Sequence, residues 1–393
     1  MKKLITLLLL VGLCVGLLLY NGTLPKPESD GTEPVTESTE TSEAGATTPP
    51  PAGQVRILNN DPSRQAAWES VAAAYTGQTG VPVTVISDSG QATLFTLSSV
   101  EELADVQDRC LDLSGTEAYA QLASWDLTLQ ADGKVCGIAA GIEAFGLVCN
   151  ASLLARAGYT QKDITGFSGL KAVVESITAN SGELGFSAFA RVDPSKNFPI
   201  QLACLGGETR DFLDLFINNA TCAPTEMSSC TELDALEDFL GGKAVFYLAK
   251  TGKYEDLAAL GSENLSIMPV YLGGENEERQ SLCAVASSYW CVRGDVLEPD
   301  IQATVKFLDY LVKPGSDGTV PVDQLGLLAP YRQAAGASNA LESFFRNDLA
   351  AGKELLVCKN VSQVPDGIAE ALILYAADPT DENWTAVTSI LER

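Results

Sequence analysis

The sequence predicts an α/β fold, and three observations carry that reading. Short β-rich runs alternate with stretches of helical apolar spacing from residue 55 onward. The first alternation is a strand, helix, strand unit of the kind that builds parallel sheets. With 46% hydrophobic and 19% charged residues, the chain also carries enough apolar side chain for one large domain or two lobes.

Residues 55–58 form the first strand, which ends at Asn59, Asn60 and Asp61. Pro62 suits the first turn of a helix, and Ala66, Trp68, Val71, Ala72 and Tyr75 then recur at helical spacing. A second strand, 81–86, follows Gly77 and Gly80; a third short run, 92–97, precedes a helix at 100–106. The turn residues Asp132 and Gly133 join 127–129 to 134–139 as a hairpin, and 141–150 is an apolar strand with one acid, Glu143. Helices are predicted at 151–157, 169–179, 211–218, 231–240, 300–312, 338–349 and 366–377. Further strands are predicted at 244–249, 265–271 and 288–293.

The composition excludes several function classes. Lys plus Arg number 25 against 51 Asp plus Glu, a net charge of −26. Such a chain lacks the clustered positive charge that a nucleic-acid groove or an anionic membrane surface needs. It contains no histidine, which removes Ser-His-Asp and Cys-His catalysis and every His-containing zinc site. Clusters such as Glu275, Glu277 and Glu278, or Asp378, Asp381 and Glu382, lack the spacing of a calcium loop and read as solvated surface. No Gly-rich phosphate cradle precedes a helix, so neither metal nor cofactor is expected.

Lys2 and Lys3 precede an uncharged, mostly apolar run from residue 4 to 20, which reads as a signal peptide or an uncleaved membrane anchor. Cys14 would be the lipidated residue of a lipoprotein signal, although Leu13 stands where a small residue is expected. Residues 21–53 are rich in Thr, Glu, Ser, Pro and Gly and read as a disordered tether. Nine cysteines follow, with no CxxC pair. Outside the cell, Cys222 with Cys230 and Cys283 with Cys291, each eight apart, are candidates for short-loop disulfides, while Cys149 reads as a small buried hydrophobe.

Several segments, taken in order, resemble the extracellular solute-binding proteins of bacterial ABC importers, in particular the carbohydrate-uptake class that includes maltose-binding protein. Asp132, Gly133, Lys134 and Gly137 lead into Glu143, Phe145, Gly146 and Asn150 and then the helix 151–158, like that family's crossing from first to second lobe. Residues 241–248 resemble a second-lobe strand, and 288–293 with 302–311 resemble the return to the first lobe. The resemblance spans nearly all of residues 54–393. It implies a two-lobe periplasmic-binding-protein-like fold with the ligand cleft between lobes: 54–140 and 285–330 form the first lobe, 141–284 and 331–393 the second. Two departures stand out. Only residues 87–91 separate the second strand from the third, where the family places a helix, and no aromatic residue directly follows 244–249, Tyr254 being the nearest ring.

In such a cleft, aromatic faces meet sugar C–H surfaces, and carboxylates or amides accept hydroxyl protons. The expected ligand contacts are Asn60 and Asp61 after the first strand, Glu143 at the crossing, and the rings of Phe145, Phe198, Tyr247, Tyr289 and Trp290. Glu143 also has a structural alternative, an ion pair. The expected function is capture of a neutral sugar or oligosaccharide and its delivery to ABC permease subunits in the membrane. The protein would be a monomer tethered at the extracellular face, without enzyme activity; a glycosidase would need two paired acids, for which Glu143 and Asp61 are the pair to test. The alternative is a degenerate member of the fold that serves as a surface sensor or interaction protein.

Overall fold

The computed structural model describes residues 53–391 apart from 197, 199–201, 203–208, 262–263, 272–279, 282, 353–354 and 359–363. The expected leader with Cys14, the tether through residue 52, Cys204 and the cluster at 275–278 lie outside the described residues.

The opening unit follows the sequence closely. Strand β1 (Val55–Leu58) leads through a short turn, Pro62–Arg64, into helix α1 (Gln65–Thr79), whose Trp68, Val71, Ala72 and Tyr75 are buried at the predicted spacing. The chain returns as β2 (Val83–Ile86), parallel to β1 in the register Val55 to Val83, and β3 (Leu94–Leu97) joins on the other side of β1, also parallel. Between β2 and β3 there is only a single turn, Ser89–Gln91, so the shortened connection read from the sequence is real.

The middle of the chain differs from the sequence expectation. Strand β4 (Thr128–Ala131) does pair with the residues after Asp132 and Gly133, but β5 runs without a break from Lys134 to Asn150 instead of ending near Ala139. It is continuous because each part has its own antiparallel partner: β4 for residues 134–138, β11 (Cys283–Val292) for 138–145, and β7 (Ala244–Lys250) for 145–149. Strand β6 (Ser187–Phe189) pairs in parallel with β7, β8 (Leu265–Met268) lies against the end of β5, and β9 (Val270–Tyr271) pairs with β10 (Gln280–Ser281) as a separate ladder. Strand β12 (Leu356–Cys358) pairs in parallel with the start of β11. The main sheet therefore runs β2-β1-β3-β11-β5-β7-β6.

The longer helices cover this sheet: α2 (Phe167–Ala179), α3 (Arg210–Ile217), α4 (Glu232–Leu240), α5 (Glu298–Val312), α6 (Ala340–Ala350), α7 (Ile368–Ala377) and α8 (Asp381–Leu391). Residues 381 and 382, read from sequence as solvated surface, begin α8, and Asp381 accepts a 2.6 Å bond from Arg210. One core gathers Ile57, Trp68, Leu94, Ile138, Trp290 and Phe307. A second gathers Leu147, Val174, Phe189, Phe216, Phe246 and Tyr375, with a smaller cluster around Tyr247 and Phe239 on the other face of that sheet. These are the two lobes, and β5 and β11 contribute to both cores. Among the described residues, no helix is long and apolar enough to cross a membrane.

The proposed Cys283 and Cys291 disulfide is excluded by β11 itself. Both residues lie on that one extended strand, about 27 Å apart at 3.4 Å per residue, far beyond the Cα separation a disulfide spans.

Candidate functional site

The two lobes meet where β5 and β11 cross between them, and the structure opens a pocket there. Its first-lobe wall is the carboxyl end of β1 with the turn after it, the place where open α/β sheets hold ligands. Asn59, Asn60, Asp61 and Arg64 come from that turn, Trp68 from α1, and Thr96 and Ser98 from the end of β3. Ala140 of β5, Ser287, Ser288 and Trp290 of β11, and Leu327 complete the wall around about 310 Å³. The crossing strands approach closely here because residue 141 is glycine: a Cβ on Gly141 would stand 3.1 Å from both Ser287 Oγ and a methyl of Leu327. Beside it, the pairing of β11 with β5 shifts register on both sides of Ser288, which carries Ser287 and Ser288 to the pocket.

The β1 turn is internally braced. Asp61 accepts from the Ser63 amide at 3.0 Å and its hydroxyl at 2.6 Å, and pairs with Arg64 at 2.9 Å. The Ser63 bonds, assisted by the Arg64 charge, hold the Asp61 carboxyl below its ordinary value. Asn59 donates to the Asp61 carbonyl and to Gln65 Oε1, both at 2.9 Å. Asn60 differs: it is exposed at the pocket mouth and has no hydrogen-bond partner among the described residues. A groove of about 450 Å³, lined by Asn59, Gln65, residues 85–88 and Gln91, continues from this turn along the ends of β1 and β2. One wall of it is the short connection from β2 to β3.

The second-lobe side is more filled. Arg191, Asp193, Lys196, Phe198 and Tyr247 surround about 30 Å³, room for little more than a water or two, with Lys250, Lys253 and Glu232 at the margin. Three of its four cations are compensated by carboxylates: Arg191 by Asp238 at 2.7 Å, Lys250 by Glu143 at 3.0 Å, and Lys253 by Asp256 at 3.5 Å. Asp238 is the buried anchor, taking Thr221 Oγ1 at 2.6 Å and Lys243 at 3.0 Å as well. Burial would push its carboxyl up, but the Thr221, Lys243 and Arg191 hydrogen bonds outweigh that and hold it below its ordinary value.

The eight residues expected at a ligand separate into groups. Asn60, Asp61 and Trp290 line the first-lobe pocket, and Phe198 and Tyr247 the second. Glu143 sits at the crossing between them, half-buried and paired with Lys250. Phe145 lines neither pocket; it packs into the second-lobe core. Tyr289 also lines neither: it points from β11 into the first-lobe core, where burial pushes its hydroxyl up to about 12. The rings that do reach a pocket present little surface. Trp290 is 1% exposed, edge-on to Trp68 and stacked on Tyr331 at 6.1 Å, and Tyr247 stacks on Phe239 at 5.5 Å. Sequence reasoning missed Trp68, Thr96, Ser98, Ser287 and Ser288. Trp68 was legible only as a buried helix position, and the hydroxyl residues carried no signal until β3, β11 and β5 brought them together.

No protein-family model and no curated protein sequence matches the chain. Solved structures do. A family 1 extracellular solute-binding protein from Bifidobacterium longum subsp. infantis matches with a TM-score of 0.63 at 16% identity, over 86% of this chain and 98% of that one. The apo-form of RafE from Streptococcus pneumoniae matches with a TM-score of 0.64 at 10% identity, over 88% and 98%. RafE in complex with raffinose matches at 0.54 and 12%, over 86% and 98%. The chain therefore has the two-lobe fold of the extracellular solute-binding proteins, with both lobes present.

Proposed function

We propose that this protein captures a neutral sugar or oligosaccharide between its lobes and delivers it, chemically unchanged, to the permease subunits of an ABC importer. It would act as a monomer tethered at the outer face of the membrane. The observation that carries this reading is the first-lobe pocket at the lobe crossing. It combines the Asn60 amide, which has no partner among the described residues, a charged acceptor (Asp61), four hydroxyls and two tryptophans. Amides, hydroxyls and a carboxylate are the groups that read sugar hydroxyls. The paired cations of the second-lobe face fit a neutral ligand, and the groove along residues 85–91 gives room for more than one ring. Solved proteins of this fold include one in complex with raffinose, which favours the same ligand class.

A panel of mono- and oligosaccharides tests it, read by tryptophan fluorescence and melting temperature. The expected result is a raised melting temperature with at least one sugar, recovered intact by chromatography afterwards. A flat response to every sugar sinks the transport reading, and a cleaved sugar sinks binding without chemistry. Glu143→Gln is expected to keep the fold, since a partly exposed pair is worth about 1 kcal/mol or less, while weakening the bound sugar; unchanged affinity would take Glu143 out of the site.

One observation favours the second reading, a surface sensor or interaction protein. None of the expected stacking rings offers a broad open face: all five are buried. Binding of no sugar, together with a retained fold, is the result that reading expects.

A further inference from the structure

We propose that Cys222 and Cys230 are joined by a disulfide that staples the second-lobe wall of the cleft. The proposal rests on the reading of this protein as an exported one. The two sulfurs face each other at 3.0 Å, about 1 Å beyond a covalent S–S bond. The loop they would close holds a short 3-10 helix, Pro224–Ser229, whose Met227 is buried in the second-lobe core and anchors the loop between the two cysteines. What flanks the pair gives the bond its consequence. Thr221, next to Cys222, accepts from the Arg191 amide at 3.0 Å and donates to Asp238 at 2.6 Å. Thr231, next to Cys230, caps α4, which carries Asp238 and the pocket residue Glu232. The staple thus fixes both ends of the network that holds Arg191 at the ligand face.

The chemistry is thiol–disulfide exchange with an external disulfide such as oxidised glutathione. The thiolate of Cys222, the more accessible of the two, attacks one sulfur of the oxidant and displaces the first glutathione thiolate. The Cys230 thiolate then attacks the Cys222 sulfur of the mixed disulfide, forming the Cys222–Cys230 bond and releasing the second glutathione. The two cysteine protons end on the two glutathione thiols, and the two electrons reduce the oxidant. Burial, with the neighbouring Cys230, pushes the Cys222 thiol up to about 12. Folded protein therefore exposes little thiolate, and exchange is fastest while the chain is still unfolded.

The test refolds the full chain in buffers of reduced and oxidised glutathione, traps free thiols by alkylation and maps the peptides. The expected result under oxidised glutathione is a cross-linked peptide pair through Cys222 and Cys230. That form should melt roughly 3–6 °C above the form refolded under reduced glutathione. The double variant Cys222→Ser, Cys230→Ser should lose that redox-dependent difference. Folded protein with both cysteines alkylated, a bond from either to another cysteine, or the same difference in the double variant each overturns the proposal. None of these readouts needs a sugar. Protein that binds a sugar with both thiols free refutes the disulfide alone, and protein that forms the bond but answers to no sugar refutes the transport reading alone.

Discussion

Trp290→Ala is expected to destabilise the protein by about 3–5 kcal/mol, the range for deleting a fully buried large aromatic. Trp290 sits between Trp68 and Tyr331, at 6.1 Å from each ring, and Tyr331 is itself fully buried with its hydroxyl on the Ala139 carbonyl at 2.7 Å. Alanine would open a gap beside both neighbouring rings in the first-lobe core, and the surrounding strands can close only part of it. Trp125→Ala supplies the contrast, because that ring is 64% exposed; a surface change of this kind costs about 0.5 kcal/mol or less. Urea unfolding of the two variants at matched slope decides it. A loss below about 1 kcal/mol at Trp290 would show that the ring is loosely held and free to serve as a stacking face. The position is thus structural first, and any ligand effect must be measured in a variant such as Trp290→Phe that keeps most of the packing.

The second large effect is at Asp238. Asp238→Asn removes the charge that Arg191 and Lys243 share and is expected to cost about 2–4 kcal/mol at neutral pH, the lower part of the range for breaking a buried pair, because Arg191 reaches water. The pH dependence has a definite sign. A carboxyl held below its ordinary value in the folded state stabilises above its unfolded pKa, and that contribution is lost as the pH falls through the folded value. The gap in stability between wild type and Asp238→Asn should therefore be full at pH 6 and shrink below about pH 4. Melting curves from pH 6 down to pH 2 check it; a gap that holds constant over that range would show that Asp238 acts by packing and not by charge.

The parts of the fold legible in the sequence are those set by near neighbours. The unit from β1 to β2 could be read because a β-branched run, a proline at a helix start and five apolar residues at helical spacing all lie within about thirty residues. Strand β5 could not, because its continuity is decided by β7 and β11, each more than ninety residues away in sequence. The first half of β11, Cys283–Ser287, reads from sequence as small and unremarkable residues; only its neighbours β5 and β12 make it a strand. Helix α8 was legible but not read: Trp384, Val387, Ile390 and Leu391 recur at helical spacing and pack on the second-lobe core, although only Val387 is fully buried. For the pocket, the rule that ligands meet the carboxyl end of a first strand found Asn60 and Asp61, whereas an apolar strand pattern cannot say which rings look inward to the core and which reach a cleft. Phe145 and Tyr289 illustrate that limit.

Strand β11 also sets the order in which the molecule can be completed. β3 ends at Leu97 and its neighbour β11 begins at Cys283, so the intervening chain must be in place before β3 gains its second partner in the sheet. Until then β3 is an open edge, able to pair with any other extended chain it meets. The later lobe, whose strands β6, β7 and β8 are all made before β11, has most of its own ladder available sooner. Biogenesis of this protein is accordingly a problem of guarding one unfinished edge, and a chain cut short of residue 283 would leave it unfinished for good.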